Sequence, residues 1–304
     1  MMMNKPNTFL IGVQKAATTS IYNWLSQHPE VCAPIAMKDI SFFTRPMFYK
    51  EKGIDYLLKH YENCQEDQKI KLQGSVHYIF FEDALKRIKL FNPDAKFVLI
   101  LRQPMERAIS SFLYARKFNY EKLNFEDALE AEKDRMLTDD LKIKSECTYI
   151  NHGFYASQIN RFLKHFSKDQ LKVILYDDLK TEPEKTIKGI FKFLSINSNF
   201  TPVFNKHNKT GSVKSKFLQS FLLGENKIKK TIVNKILPYV LSEEKKAKIR
   251  WKIIHLNTSN KKEDIVINQD VVEKYNALFK DDILELEKLL NRDLSNWIKA
   301  PKIN

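Results

Sequence analysis

Residues 8–25 constrain the fold of this chain more than any other stretch. They read Thr-Phe-Leu-Ile-Gly-Val-Gln-Lys-Ala-Ala-Thr-Thr-Ser-Ile-Tyr-Asn-Trp-Leu. Residues 8–11 form a short apolar run of the kind found in buried strands, and the segment from Thr18 onward has a helical spacing of apolar residues. A strand that leads through a loop to a helix N-terminus gathers free backbone N–H groups and the positive end of the helix dipole.

The loop in this stretch has the composition of a phosphate site. It contains a lysine, Lys15, and ends in three consecutive hydroxyl side chains. An ordinary strand–helix turn with a Thr or Ser N-cap is the alternative, but such a cap requires neither the lysine nor three hydroxyls. The residues that we predict to surround a phosphate are Lys15, Ala16, Ala17, Thr18, Thr19 and Ser20.

The spacing within this loop distinguishes between two families of phosphate loop. A nucleotide-binding P-loop has two glycines separated by four residues and then Lys followed directly by Ser or Thr, whereas here Gly12 is alone and Lys15 precedes Thr18 by three positions. The stretch resembles the 5′-phosphosulfate loop of sulfotransferases that use 3′-phosphoadenosine 5′-phosphosulfate (PAPS). Their approximate pattern is Gly-x-x-Lys-(Gly/Ala/Ser)-(Gly/Ala)-Thr-(Thr/Ser), and residues 12–19 match it.

A second phosphate site is predicted after the continuous apolar run at 96–101. Arg102 follows this run directly, and Ser110 lies two turns into the helix that begins near Pro104. Parallel sheets bind ligands at the carboxyl ends of their strands, and a guanidinium with a hydroxyl suits a phosphate monoester. The alternative is that Arg102 neutralises a helix end or pairs with Glu106.

The second stretch strengthens the resemblance to the sulfotransferases. That family holds the 3′-phosphate of PAPS with a strand-end motif Arg-x-Pro-x-x-Arg-x-x-Ser, which Arg102, Pro104, Arg107 and Ser110 match. The resemblance covers residues 6–216. It implies PAPS as co-substrate, adenosine 3′,5′-bisphosphate as product, no metal, and Lys15 as the cation that stabilises charge on the leaving 5′-phosphate.

Two residues are candidates for the general base that such a transfer needs. In the glycan-modifying sulfotransferases the base is often the Glu of a Lys-Glu-x-x-Phe-Phe motif, and Asp39 occupies that position in the segment 38–43. Its carboxylate is one methylene shorter, and it could instead cap a turn. His77, just past the strand at 70–74, is the second candidate because an imidazole titrates near neutral pH, although a structural role is the alternative.

A late basic loop at 207–216 supplies the last predicted contacts. In the family a late basic loop closes over the nucleotide, so the resemblance makes Lys214 and Lys216 candidates for cofactor binding. A surface loop without a ligand is the alternative.

Alternating strands and helices predict an α/β fold. We expect a single P-loop-like domain over 1–304 with a central, mainly parallel sheet flanked by helices. Residues 6–216 would form the core with the PAPS-binding motifs, and 217–304 a helical C-terminal part packed on it. A charged segment at 125–143 is predicted to be helical and to lie over one face of the sheet.

Charge and cysteine content limit the partners and the compartment. The formal net charge is +14, which suits an anionic partner, while no zinc-finger spacing, aromatic RNA-binding pattern or basic heptad region indicates nucleic acid. Cys32, Cys64 and Cys147 are odd in number and far apart, so we expect free thiols in a reducing compartment. With no apolar N-terminal segment and no apolar run of about 20 residues, a cytoplasmic protein without a transmembrane segment is predicted.

The sequence therefore predicts a PAPS-dependent sulfotransferase whose acceptor is a hydroxyl of a carbohydrate or glycoconjugate. Two alternatives stay open. One is an ATP-dependent phosphotransferase, for which residues 173–177 resemble a Walker B strand. The other is a non-enzymatic protein that binds polyanionic glycans through its basic surface. The oligomeric state is not indicated.

Overall fold

A parallel sheet forms the centre of the structure, a computed structural model that describes residues 5–34, 38, 40–204 and 265–303. Within that part of the chain the sheet has five strands in the order β2-β3-β1-β4-β5. The strands are β1 (Thr8–Gly12), β2 (Val31–Cys32), β3 (Ile70–Gly74), β4 (Lys96–Leu101) and β5 (Leu171–Leu175). All pairings are parallel.

The central strands are buried along nearly their whole length because both faces of the sheet are covered. Every residue of β1 and β3 is buried, as are five of the six residues of β4. β1 and β4 are near-continuous apolar runs, as is typical of parallel strands covered on both faces, whereas β3 alternates and buries Lys71 and Gln73. Leu10 of β1 lies between Gly74 of β3 and Val98 of β4 in the register, so β1 occupies the middle of the sheet.

Helices connect the strands and cover the sheet. In chain order they are α1 (Thr18–Leu25), α2 (Gly53–Lys59), α3 (Glu82–Phe91), α4 (Pro104–Lys117), α5 (Phe125–Glu130), α6 (Glu132–Leu137), α7 (Leu141–Glu146), α8 (Tyr155–Leu163), α9 (Tyr176–Thr181), α10 (Pro183–Leu194), α11 (Gln269–Asn276), α12 (Lys280–Leu290) and α13 (Ser295–Ile298). A π-helical segment, Met47–Lys52, precedes α2, and 3-10 turns occupy Asn151–Gly153, Lys168–Gln170 and Ala277–Phe279. None of the helices in the described ranges is both long and apolar enough to cross a membrane.

One hydrophobic core joins the sheet to the helices on both sides of it. Phe97 of β4 packs against Phe162 and Phe166, with ring centroids 4.9 and 4.4 Å away. The same cluster includes buried residues of the C-terminal helices, among them Val272, Phe279 and Trp297. The helices at 269–298 therefore contact the core directly.

The predicted fold class is confirmed by the parallel sheet with flanking helices and by the C-terminal helices. The charged segment predicted as helical over 125–143 is instead three short helices, α5, α6 and α7. Asn124 and Asp140 each accept backbone N–H bonds as N-caps, so new helices begin after them. Between α6 and α7, Thr138 is extended at φ −66° and ψ 154°.

The expectation of three free thiols is wrong for two of them. Cys32, at the end of β2, and Cys64, beyond α2, form a disulfide with their Cα atoms 5.6 Å apart. Cys147 is a buried free thiol, and burial raises its pKa to about 11. The sequence could not reveal this pair because the partners are 32 residues apart. The prediction of a reducing compartment rested on free thiols, and the disulfide removes that basis.

Candidate active site

The loops that follow β1, β3 and β4 meet at the carboxyl edge of the sheet. Because these strands are adjacent and parallel, Lys15, His77 and Arg102 all follow strand ends at this edge. The Arg102 guanidinium donates through Nη1 to the Lys15 carbonyl oxygen at 3.3 Å. The two phosphate sites predicted from separate stretches are thus in contact.

The loop after β1 is held in an uncommon backbone conformation. Lys15 and Ala17 have positive φ angles of 71° and 61°, in the left-handed region that non-glycine residues rarely adopt. Such a conformation costs of order 1 kcal/mol or more per residue and occurs often at ligand sites. Ala17 stands at the N-cap of α1 without a side-chain hydrogen bond, so the first N–H groups of α1 are available to a ligand.

The residues predicted to surround a phosphate lie on this loop and on the first turn of α1. Ala16 and Thr18 are buried, whereas Lys15, Ala17, Thr19 and Ser20 are half-buried. The helix N-terminus thus combines backbone donors with three hydroxyl side chains and one ammonium group. This donor set is that of an anion site.

The Lys15 ammonium lies in a crowded cationic environment. It is placed over the Tyr114 ring, 4.6 Å from the ring centroid, a favourable cation–π position. Burial, together with the nearby charges of Arg102 and Lys117, lowers the pKa of Lys15 to about 8, and the charge of Glu146 partly opposes this shift. An anionic ligand would relieve this repulsion.

Arg102 makes the ion pair that the sequence raised as an alternative. Its Nε and Nη2 donate to Glu106 Oε2 at 3.0 and 2.8 Å, and the guanidinium lies 5.0 Å from the centroid of the Tyr176 ring. A phosphate at this guanidinium would therefore exchange with the half-exposed Glu106 carboxylate. Ser110 lies on α4 and is half-buried.

Arg107, the second arginine of the same motif, is directed into the core. It is fully buried, and its Nη2 donates to the Tyr149 carbonyl oxygen. Its Nε and Nη1 have no hydrogen-bond partner in the described part of the chain, and burial lowers its pKa. The motif treats the two arginines alike, but only Arg102 reaches the loop that carries Lys15.

Asp39 lies outside the described residues, so its placement is not compared with the prediction. Its neighbour Lys38 forms a parallel bridge with Gly74 at the end of β3. Lys38 also lines a small crevice together with Thr18 and Ser75. Lys38 therefore lies next to the start of α1.

His77 is buried beside a carboxylate that the sequence analysis did not single out. Its Nε2 lies 3.5 Å from Glu146 Oε1, and its Nδ1 has no partner among the described residues. Glu146 Oε2 also accepts from Gln14 Nε2 at 2.8 Å. No local signal marks Glu146, because Gln14 is 132 positions away in the sequence.

The structure does not describe the predicted late basic loop, and it shows no metal cluster in the ranges that it does describe. Lys214 and Lys216 lie outside the described residues. Within residues 5–34, 38, 40–204 and 265–303, no group of three or more His, Cys, Asp and Glu side chains is arranged to hold a metal ion.

Comparisons with known proteins identify the family. A family model described as "Sulfotransferase domain" matches residues 5–231. Human bifunctional heparan sulfate N-deacetylase/N-sulfotransferase 3 is 29% identical over 201 residues, which are 63% of this chain and 22% of that protein. Human heparan sulfate glucosamine 3-O-sulfotransferase 5 is 28% identical over 203 residues, which are 67% of this chain and 56% of that protein.

A solved structure supports the fold. The crystal structure of a sulfotransferase from Alicyclobacillus acidocaldarius superimposes with a TM-score of 0.70 and 23% identity, covering 97% of this chain and 99% of that one. The chain spans only 22% and 56% of the two human relatives, but the family model extends over most of its length. The resemblance predicted from the two phosphate motifs is confirmed, and the chain belongs to the sulfotransferase domain family.

Proposed function

We propose that this protein transfers a sulfuryl group from PAPS to a hydroxyl group of a carbohydrate or glycoconjugate. The observation that carries the proposal is the direct contact between the two predicted phosphate sites. Arg102 Nη1 bonds the carbonyl of Lys15, so one ligand with two anionic ends can occupy both sites. A nucleotide phosphorylated at the 3′ and 5′ positions is such a ligand.

The donor set fits this co-substrate. PAPS supplies the sulfuryl group, with adenosine 3′,5′-bisphosphate as the leaving product. The N-terminus of α1 and the hydroxyls of Thr18, Thr19 and Ser20 would hold the 5′-phosphosulfate. Lys15, in its protonated form, would stabilise the negative charge that grows on the leaving 5′-phosphate. Arg102 and Ser110 would hold the 3′-phosphate after Glu106 gives up the guanidinium.

The general base remains a choice between two residues. Asp39 is the first candidate by its match to the family motif, and Lys38 beside it lines the same crevice as Thr18. His77 is the second, and its unpartnered, buried Nδ1 is a nitrogen that could accept a proton. Lys214 and Lys216 are retained as proposed contacts that close over the nucleotide.

The acceptor is inferred from the relatives and from charge. The two human relatives are named as enzymes of heparan sulfate, an anionic glycan, and a net charge of +14 favours an anionic partner. We infer a carbohydrate acceptor and no nucleic acid. We also infer one domain over 1–304, supported by the contacts of the helices at 269–298 with the core. A cytoplasmic location stays a prediction, and the Cys32–Cys64 disulfide weakens it.

The first test is ligand-induced stabilisation. Adenosine 3′,5′-bisphosphate at a hundred times its Kd should stabilise the protein by about 2.7 kcal/mol, which is measured as a higher unfolding temperature. Arg102→Ala should weaken binding at least about tenfold, because a charge-assisted hydrogen bond contributes about 1.5–3 kcal/mol. Glu106→Gln is the matched control, and it should bind the bisphosphate at least as well as the wild type because it frees Arg102.

Other outcomes point to the alternatives. Stabilisation by ATP with magnesium but not by the bisphosphate would favour a phosphotransferase. No stabilisation by either, with salt-sensitive binding of heparan sulfate, would favour a polyanion-binding protein. Transfer of labelled sulfuryl groups from PAPS to heparan sulfate then tests the acceptor class.

A further inference from the structure

The Glu146 carboxylate joins two loops of the candidate site and, through Gln14, the helix α4. Its Oε2 accepts from Gln14 Nε2 at 2.8 Å in the loop after β1. Its Oε1 lies 3.5 Å from His77 Nε2 in the loop after β3. Gln14 Oε1 in turn accepts from Ser111 Oγ of α4 at 2.6 Å. Both polar atoms of the Gln14 carboxamide, next to Lys15, therefore have a hydrogen-bond partner.

Glu146 reaches this position because two buried carboxylates anchor the segment around it. Glu121 accepts from the Arg135 guanidinium and from the Tyr149 hydroxyl. Glu132 accepts the backbone N–H groups of Tyr149 and Ile150 at 2.7 and 2.8 Å. Both anchors lie in or beside the helices that lead to Glu146, so the end of α7 is held against the sheet edge.

The surroundings keep Glu146 ionised. Burial raises the pKa of its carboxyl, but His77, Gln14 and Arg45 more than offset this and hold the pKa below its usual value. The charge of Glu146 also acts on Lys15, whose pKa it raises. The other charged or titratable groups that act on Lys15 or His77 are Arg102, Lys117 and His152. Glu146 is thus an anion within a largely cationic site.

We propose that Glu146 is a positioning residue for sulfuryl transfer, fixing Gln14 beside Lys15 and holding Nε2–H of His77 toward its own carboxylate. This inference rests on the proposed function. With a proton on Nε2, a neutral His77 has its lone pair on Nδ1, the nitrogen that has no partner. The negative charge of Glu146 also helps to keep Lys15 protonated, which is the form that stabilises a leaving phosphate.

Two variants of Glu146 separate its charge from its hydrogen bond. Glu146→Gln retains an oxygen that can accept from Gln14 but removes the charge, whereas Glu146→Leu removes both. Gln14→Leu keeps the charge of Glu146 and removes its hydrogen bond with Gln14, together with the bond from Ser111 Oγ. Glu126→Gln, an exposed change of the same kind on α5, is the matched control. All are compared in the full chain for bisphosphate affinity and for the pH midpoint at which acetic anhydride labels Lys15, read by mass spectrometry.

The charge and the hydrogen bond should affect different readouts. In Glu146→Gln, the Lys15 midpoint should fall by about half a pH unit or more, because an opposite charge nearby is lost. Its bisphosphate Kd should stay within about threefold of wild type, whereas Glu146→Leu and Gln14→Leu should raise the Kd about tenfold through a less ordered loop. Gln14→Leu should leave the midpoint unchanged.

The inference would be overturned if the Glu146 variants behaved like the control and the wild type. If Glu146→Gln labels like Glu126→Gln, and Glu146→Leu binds the bisphosphate like wild type, Glu146 does not position this site. Should Glu146→Leu fail to fold, Glu146→Gln and Gln14→Leu still decide the question. Failure of the proposed function looks different, because the wild type itself would then show no binding of the bisphosphate, while the labelling still reports whether Glu146 acts on Lys15.

Discussion

Lys15 has a charge that the free protein tolerates poorly. Its backbone is left-handed at φ 71°, and its ammonium is desolvated beside Arg102 and Lys117. Each feature opposes folding, yet each suits a group that waits for an anionic ligand. Stability and activity should therefore respond in opposite directions when Lys15 is replaced.

Lys15→Met should lower PAPS turnover by about 100-fold or more, since one electrostatic contact to the transition state is lost. The same change should raise the free energy of unfolding at pH 7 by about 1–2 kcal/mol, because a buried charge is removed. Urea denaturation and turnover assays measure the two effects. Lys133→Met, an exposed lysine on α6, is the control and should change neither.

The pH dependence follows from the lowered pKa of Lys15. Folded Lys15 loses its proton near pH 8, whereas the unfolded chain retains it to about 10.5. Between these values the unfolded state binds more protons, so wild-type stability should rise with pH relative to Lys15→Met. The stability gap should thus be widest below pH 8 and close toward pH 10.5, and a constant gap would contradict the assigned pKa. Turnover should decline as pH rises through about 8.

Short motifs predicted which residues could bind phosphate but not what each one contacts. Arg102 and Arg107 occupy equivalent places in one spacing pattern, yet one contacts the Lys15 loop and the other the Tyr149 carbonyl. The difference arises because Arg102 directly follows β4 at the sheet edge, whereas Arg107 lies on the buried side of α4. Glu146 was missed because its partners come from distant parts of the chain, and a carboxylate at the end of a charged helix carries no local signal.

At the scale of elements, local signals were sufficient where they were strong. The strands predicted at 70–74 and 96–101 match Ile70–Gly74 and Lys96–Leu101. The second has the continuous apolar run that is typical of a buried strand. The helix Pro183–Leu194 also carries a local signal, since proline favours the first helical turn. The segment at 125–143 was predicted less well because the extended Thr138 ends α6 and the N-cap Asp140 starts a new helix.

The Cys32–Cys64 disulfide links β2 to the chain beyond α2. A cross-link between residues 32 positions apart should stabilise the fold by about 3–4 kcal/mol through the entropy of the unfolded chain. Cys64→Ser should therefore unfold at a lower urea concentration than the oxidised wild type. Dithiothreitol should reduce wild-type stability to about that level and leave Cys64→Ser unchanged.

The thiol count is the direct check on this element. Alkylation of the unfolded, unreduced wild type should modify Cys147 alone. Modification of all three cysteines without reductant would show that the pair is open and would restore the expectation drawn from the sequence.

At the scale of the whole molecule, the C-terminal helices hold the residue next to Arg102 in place. Gln103, next to Arg102, donates from Nε2 to Asn276 Oδ1 at 2.8 Å and to the Trp297 carbonyl at 3.0 Å. Its Oε1 accepts from the Glu106 N–H and caps α4. The start of α4 is thus fixed by residues more than 170 positions away. No spacing rule within 96–110 could reveal this dependence.

Gly153 tests how closely the C-terminal helices must approach. A Cβ at this position would lie 2.6 Å from Phe279 Cε1 and 3.1 Å from Pro104 Cβ, and Phe279 is fully buried. Gly153→Ala should therefore lower the free energy of unfolding by about 1–3 kcal/mol, as overpacking does in other cores. Pro104 begins the helix that follows Arg102. Gly153→Ala should therefore also weaken bisphosphate binding, which calorimetry measures.

Gly189→Ala is the matched control, because it adds the same methyl group where there is space for it. Gly189 lies within α10 and a Cβ there meets no atom within 4 Å, so the substitution should stabilise the protein by about 0.4–1 kcal/mol through the unfolded state. It should leave bisphosphate binding unchanged. Equal effects of the two substitutions would mean that the contact of Gly153 with Phe279 and Pro104 does not hold the C-terminal helices. A loss of stability in Gly153→Ala with intact binding would mean that these helices stabilise the fold without positioning the phosphate site.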